Sequence, residues 1–320
     1  MYSLVVPVYR NEDSIHDLLD TVAALDVELG GELETVFVVD GSPDKCADLL
    51  VSLLPQRHCT ARVVVLSRNF GSFAAIRVGL EHATGRYFAV MAADLQEPPG
   101  LVLEFFRILA GGGHDVVVGT REARADPWGS RVSARLFWGV YRRFVNREMP
   151  RGGVDVFGCT TEFRDVLLSC GESNSSLVAL IYWLGFRRKE IAYTRLPRAR
   201  GRSGWTLGKK LGYLSDSVFA FTDLPLRVLM LFGAAGLAVS VLLGLGVLGA
   251  RIGGLFDVPG YAATILVVLF FGGINALGLG VVGSYAWRGY ENTKRRPLAV
   301  AMRSVAFRPR RQLQQEKADQ

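Results

Sequence analysis

From Val228 to Ala250, and again from Tyr261 to Ala286, the chain carries no charged residue. A helix needs about 20 apolar residues to cross the hydrocarbon core of a bilayer. Both stretches are long enough, so the sequence predicts two transmembrane helices, joined as a hairpin by the short segment Arg251–Gly260. Beyond them the charge is one-sided. Lys294, Arg295, Arg296, Arg303, Arg308, Arg310 and Arg311 follow one another with no acid between Asn292 and Gln315. Basic flanks are retained on the cytoplasmic side. The tail, residues 291–320, is therefore expected in the cytoplasm, and an even number of crossings puts residues 1–225 there as well. Met1 leads straight into Tyr2-Ser-Leu-Val-Val without a basic segment, which is not the pattern of a signal peptide. The expected location is the inner (cytoplasmic) membrane, multi-pass.

The formal net charge of +7 owes much to that tail. Attraction to anionic headgroups accounts for it. Nucleic acid is excluded as a partner, because the preceding part has no basic patch interleaved with aromatics. A transporter is poorly supported, since the two spans have no intramembrane charge and offer no polar path. Cys46, Cys59, Cys159 and Cys170 lack CxxC spacing, and His16, His58, His82 and His114 lack ligand spacing. The thiols are expected to be reduced.

Residues 1–204 alternate strand and helix. Strands are predicted at Ser3–Val8, Thr35–Val39, Arg62–Leu66, Tyr87–Met91 and Asp115–Gly119. Helices are predicted at Asp13–Leu25, Ala47–Leu54, Ser72–Ala83 and Leu101–Ala110. This rhythm implies an α/β fold with a mostly parallel sheet covered on both faces. Such sheets bind ligands beyond the carboxyl ends of their strands. Here those ends carry Pro7-Val-Tyr-Arg-Asn-Glu12, Asp40-Gly-Ser-Pro-Asp44, Ser67-Arg-Asn-Phe-Gly71, Asp94-Leu-Gln-Glu97 and Gly119-Thr-Arg121. Further on, a helix is expected in 127–145, a turn bearing Asp155 at 152–155, helices at Thr160–Leu168 and Leu177–Trp183, and an outer strand at Phe186–Tyr193. A basic loop, Arg195–Trp205, precedes Leu207, Leu211, Leu214, Val218 and Phe221 at helical spacing. Residues 205–225 therefore read as an amphipathic helix suited to the bilayer interface.

The segments VVPVYRNEDSI, VVDGSPD, SRNFGSFAAIRVGLEHATGRY, ADLQEPP, GTR, GGVD and RARGRSGW together resemble the family 2 inverting glycosyltransferases of GT-A fold. The similarity is to the branch of dolichol-phosphate mannose synthases and bacterial polyprenyl-phosphate sugar transferases. The resemblance implies a GT-A (Rossmann-like) domain, with Pro7, Tyr9 and Glu12 by a nucleotide and Asp40 at its base or ribose. Asp40 before Gly41 also suits an ordinary turn. The family's metal-binding aspartate-any-aspartate reads Ala92-Ala-Asp94, so its first carboxylate is absent; likewise Val39 replaces the first of two paired aspartates. Mg²⁺ often takes only one or two protein carboxylates plus phosphates and waters. Asp94 and Gln96 are therefore expected to hold Mg²⁺ or Mn²⁺.

The implied reaction moves a sugar from a nucleoside-diphosphate sugar, UDP before GDP, to a polyprenyl phosphate. The metal at Asp94 would stabilise the departing diphosphate. A phosphate monoester is already largely ionised at neutral pH, with a second pKa of about 6, so no strong base is required. Cations are required, and Arg suits forked phosphate contacts. Arg121 is expected on the donor side, and Arg131, Arg198, Arg200, Arg202 and Ser203 on the acceptor phosphate. The family's Lys after the Ser is Gly204 here, with Arg202, Lys209 or Lys210 to substitute. Asp155 is expected on the acceptor side, orienting the sugar or an Arg. Two other readings stand beside this one. Transfer to a hydroxyl of a lipid-linked glycan would need Asp155 or Glu97 as base. A non-catalytic scaffold that binds nucleotide sugar would explain the missing carboxylates. The glycines of the first apolar stretch, Gly233, Gly236, Gly244, Gly246 and Gly249, suit helix packing within the hairpin or in a homo-oligomer.

Overall fold

The computed structural model describes residues 1–57, 59–121, 139, 142–143, 146, 148–150, 153–172, 175–196, 207–253 and 261–308. The strands are β1 (Tyr2–Val8), β2 (Leu33–Val39), β3 (Thr60–Leu66), β4 (Tyr87–Val90), β5 (Val116–Arg121), β6 (Val154–Thr160), β7 (Arg188–Tyr193) and β8 (Ala301–Phe307). They form one eight-stranded sheet in the order β7-β5-β6-β4-β1-β2-β3-β8. β4, β1, β2 and β3 run parallel, whereas β6 and β8 are antiparallel to their neighbours.

Successive side chains of a strand point to opposite faces, and here both faces are covered. Leu4, Val6 and Val8 of β1 pack into one core with Phe37, Phe105 and Phe106. Val5 faces the other core with Val38, Val64, Ile76 and Phe163. That is why β1 and β2 are mostly apolar, with the buried polar pair Ser3 and Glu34 satisfied by a 2.8 Å hydrogen bond from the Ser3 hydroxyl to the Glu34 carboxylate. On the first face lie α1 (Ile15–Glu28), α2 (Cys46–Leu53) and α4 (Pro99–Ala110). The second face holds α3 (Ser72–His82), α5 (Thr161–Ser169) and α6 (Leu177–Trp183). α1 buries Ile15, Leu18, Leu19, Val22 and Leu25, the single stripe that its spacing predicts.

Two expectations are corrected. Asp155 does not sit in a turn: it is the second residue of β6, a strand inserted between β4 and β5. The tail is not merely a basic extension. Its residues 301–307 return to the sheet as β8, paired from Ala61↔Phe307 to Leu66↔Ala301. β8 covers the outer edge of β3, whose unpaired backbone groups would otherwise template association. Truncation after Val300 is expected to expose that edge. The checks are a lower melting temperature and a rise in light scattering during the melt; an unchanged melt without scattering would show that β8 is dispensable.

The region after the sheet domain is helical: α7 (Leu207–Phe221), α8 (Leu224–Ile252) and α9 (Tyr261–Thr293). Among the described residues one segment, Leu224–Gly246, is long and apolar enough to cross a membrane, with mean hydropathy 2.4 and none of it buried in the chain. The second apolar stretch forms most of α9. α8 and α9 meet at Gly236, where an added Cβ would press on the Phe271 ring, so this glycine serves the contact between the two helices. Arg288 of α9 donates to Asp216 of α7 at 2.8 Å and lies over Phe219. Tyr285 donates to the carbonyl of Thr222 at 3.1 Å. Trp287 and Tyr290 are exposed at the end of α9, with the Lys294 ammonium over both rings.

Candidate active site

The polar loops gather beyond the carboxyl ends of the strands. The β1–α1 and β2–α2 loops are tied by one carboxylate, Asp44. It accepts from the Ser42 hydroxyl at 2.6 Å, the Glu12 N–H at 3.2 Å, the Cys46 thiol at 3.1 Å and the Cys46 N–H at 3.3 Å. Ser42 in turn accepts from Arg10 N–H at 2.8 Å, and Glu12 accepts from Lys45 N–H at 3.0 Å. Arg10 is held at φ 56°, a strained value for a residue with a side chain. Glu12, expected by the nucleotide, thus also braces the neighbouring loop. Pro7 lies within β1, one residue before its end, and Tyr9 just after the strand is exposed. The sequence reading missed Asp44 and Cys46, although Asp44 closes the DGSPD turn.

Burial pushes the Asp44 carboxyl up, but hydrogen bonds from Ser42, Cys46 and Glu12 outweigh it and leave the pKa below the ordinary value. A carboxylate depressed in the folded state stabilises fully above its unfolded pKa, and loses that contribution as pH falls through the folded one. Asp44→Ala is expected to cost about 2 kcal/mol at pH 7, since the lost bonds are to a charged acceptor. The gap to the wild type should close as the pH drops below the ordinary carboxylate range. Melts at the two pH values test this; a variant that melts with the wild type at pH 7 refutes the brace.

Asp40 is buried and uses both oxygens on the next loop, accepting from Phe70 N–H at 2.7 Å and Gly71 N–H at 2.8 Å. Burial raises its pKa, and these two N–H groups and Arg68 offset part of that. The adjoining Gly41, at φ 54°, lies so close to the Arg68 backbone that a Cβ would overlap it. Asp40 therefore positions the β3–α3 loop, a role that leaves second lone pairs on its oxygens for a ligand.

At the centre lies the β4–α4 loop. Leu95 is at φ 52°, and its N–H donates to the Ala92 carbonyl at 3.3 Å. The turn carries Asp94 before it, and Gln96 and Glu97 after it. Gln96 is buried; its carbonyl accepts from Leu196 N–H at 2.9 Å, and its side-chain amide donates to the Leu196 carbonyl at 3.5 Å. Glu97 is 1 % exposed. Burial, then the nearby Asp94, raises its pKa, while Arg195 opposes the shift. The Ser14 hydroxyl reaches the Ala93 carbonyl at 3.1 Å and links this loop to the start of α1.

On the other side, three strand ends meet. Arg121 of β5 grips Asp155 of β6 with Nε on Oδ2 and with Nη2 on Oδ1 at 2.5 Å. Tyr193 of β7, level with Arg121 in the register, donates to Asp155 Oδ2 at 2.9 Å. The Arg121 side chain is 10 % exposed. Burial alone would lower its pKa, but Asp155 more than restores it, so Arg121 is firmly charged. Asp155 is thus bonded to both Arg121 and Tyr193. Tyr193 gave no sequence signal as a partner. Arg131, Arg198, Arg200, Arg202 and Ser203 lie outside the described residues.

The donors of the central loop fit a hard divalent cation. They are oxygens only, from Asp94, Gln96 and Glu97, with no thiolate or imidazole among them. Among the described residues no three or more His, Cys, Asp and Glu side chains cluster as a closed metal cage. A cation that keeps waters and takes substrate phosphates does not need one.

A doubly covered α/β sheet with its polar groups gathered at the carboxyl edge has the GT-A-like architecture of sugar-transferring enzymes. The chain belongs to Glycosyl transferase family 2, whose model matches residues 3–170. It is 31% identical over 297 residues to an uncharacterized glycosyltransferase of Synechocystis sp., covering 92% of this chain and 93% of the relative. It is 32% identical over 300 residues to the undecaprenyl-phosphate 4-deoxy-4-formamido-L-arabinose transferase of Edwardsiella ictaluri, covering 92% and 91%. Among solved structures, mannosyl-3-phosphoglycerate synthase of Rubrobacter xylanophilus aligns at a TM-score of 0.48 and 14% identity, over 68% of this chain and 72% of the other.

Proposed function

We propose that this glycosyltransferase moves a sugar, with inversion, from a nucleoside-diphosphate sugar to a polyprenyl phosphate at the cytoplasmic face of the inner membrane. UDP is favoured over GDP. The observation that carries the reading is the union, in one chain, of the carboxyl-edge site with apolar helices that leave the sheet domain and return to it. β8 belongs to the same sheet as β1–β4. Any crossing made by α8 must therefore be matched by a return crossing, for which α9 is the available helix. An even number of crossings keeps site and tail on one side, and the basic tail favours the cytoplasm. The similarity to an undecaprenyl-phosphate sugar transferase runs across these helices as well as the sheet domain.

Pro7, Tyr9, Glu12 and Asp40 would line the nucleotide. Asp94 and Gln96 would hold Mg²⁺ or Mn²⁺, which supplies charge stabilisation for the leaving diphosphate. Arg121 is fixed by Asp155 and Tyr193, so it presents its remaining donors without reorganising. Arg131, Arg198, Arg200, Arg202 and Ser203 are assigned to the lipid phosphate. An ionised phosphate acceptor requires no protein base, which agrees with an Asp155 already committed to Arg121 and Tyr193. Transfer to a glycan hydroxyl would ask that same carboxylate to abstract a proton.

The test is a transfer assay: purified protein in detergent, undecaprenyl phosphate, UDP- and GDP-sugars, and Mg²⁺ or Mn²⁺. A glycolipid formed only with metal is the expected result. Nucleotide binding without product from any donor would reject the phosphate acceptor.

A further inference from the structure

Position 92, where the resemblance calls for the first metal-binding aspartate, is Ala92. The structure places another carboxylate against that position. Glu97 is 1 % exposed, and its Oε2 is sealed from solvent without a hydrogen-bond partner among the described residues. A buried carboxylate oxygen without a partner is costly. Glu97 does not cap the following helix: α4 begins after Pro98 with no side-chain cap.

Its surroundings are specific. The backbone N–H of Ala92 faces the Glu97 carboxylate. The left-handed turn at Leu95 closes the loop, so that residue 97 folds back on residue 92. Asp94 and Asp155 are its acidic neighbours, and Arg195 its basic one. Asp94 is half-buried beside the buried Glu97, and two neighbouring acids repel each other unless a cation lies with them. The side chain opposite the missing aspartate is thus a buried acid with one oxygen to spare.

We propose that Glu97 supplies the second carboxylate of the metal site, in place of the one absent at position 92, so that Asp94, Gln96 and Glu97 form an all-oxygen set for Mg²⁺ or Mn²⁺. This assignment rests on the metal-assisted reading above. It extends that reading with a residue outside the aspartate-any-aspartate motif, and it explains how the motif tolerates alanine.

The experiment reads Mn²⁺ binding to the full-length protein in detergent by the electron paramagnetic resonance of free Mn²⁺, with and without UDP. Glu97→Gln is nearly isosteric and is expected to weaken Mn²⁺ binding about tenfold or more, as Asp94→Asn should. Adding Ala92→Asp to Glu97→Gln is expected to restore it, because a carboxylate then stands at the position where the family pattern has its first aspartate. Thermal melts accompany each variant, and the restored double variant separates a lost ligand from a lost fold. If Glu97→Gln binds Mn²⁺ like the wild type while Asp94→Asn does not, the assignment of Glu97 is overturned and the metal reading survives. A double variant as weak as Glu97→Gln alone also overturns it. If the wild type and Asp94→Asn both fail to bind Mn²⁺ even with UDP, the metal reading itself falls, and this assignment with it.

Discussion

Asp94→Asn is expected to lower turnover by about 10²–10³-fold, the loss typical when one preorganised group that stabilises leaving-group charge is removed. The reasoning is electrostatic. When a sugar leaves a nucleoside diphosphate, negative charge accumulates on the phosphate oxygens, and a divalent cation offsets it without proton transfer. With Ala92 in place of the first aspartate, the loop has fewer carboxylates than its family pattern, so each remaining one matters more. Asparagine keeps the shape and one oxygen but removes the charge that attracts the cation. The melting temperature should stay close to that of the wild type, and added Mn²⁺ should recover part of the rate. Initial rates over a Mn²⁺ titration decide the matter. A variant with near-wild-type turnover at low metal would show that Asp94 is not the metal carboxylate.

Asp155→Ala should be the most destabilising single change at the site. Arg121 is 10 % exposed and its charge is met by Asp155 through two hydrogen bonds, with Tyr193 on the same carboxylate. Removing one partner of a buried pair costs about 3–5 kcal/mol. Asp155 is 24 % exposed, so water will relieve part of this, and about 2–3 kcal/mol is expected. That corresponds to a fall in melting temperature on the order of 4–12 °C. Arg121→Ala should cost less than the sum when combined with it, because the two residues share one interaction. Asp155→Asn gives the functional half of the test. A positioning role predicts a lower kcat with an unshifted pH–rate profile; loss of the acid-side limb of that profile would mark Asp155 as a general base instead.

Much of the sheet domain was legible because its cause is local. β1 and β2 are buried on both faces, so Leu4–Val8 and Val36–Val39 are apolar without interruption. α1 has one buried face, so its stripe repeats every three to four residues. The loops at the carboxyl edge follow from strand direction alone; Asp40 and Asp94 fall on them, and Arg121 ends β5 beside them. β6 was not legible. Val154–Thr160 follows two glycines and runs directly into α5, so neither a turn signal nor a clear alternation separates it from a loop. Only its pairing with β4 and β5 makes it a strand. β8 was hidden for a similar reason: Ala301–Phe307 is mostly exposed, and an edge strand is defined by its partner more than by its own composition.

The same division runs through the site. Residue types and their place at strand ends are properties of the chain, and with them come the α/β class, the two apolar stretches, the basic tail and the oxygen-rich loop after β4. What each carboxylate is bound to is a property of the packed molecule. Asp44 bridges two loops, Asp40 clamps a third, Asp155 neutralises Arg121, and Glu97 lies against Ala92. These pairings join residues from separate elements, or depend on a left-handed turn at Leu95 that no composition announces. Sequence spacing determines which groups reach one edge of the sheet. Which of them is paired, and which keeps an oxygen to spare, is decided only when burial removes water as the alternative partner.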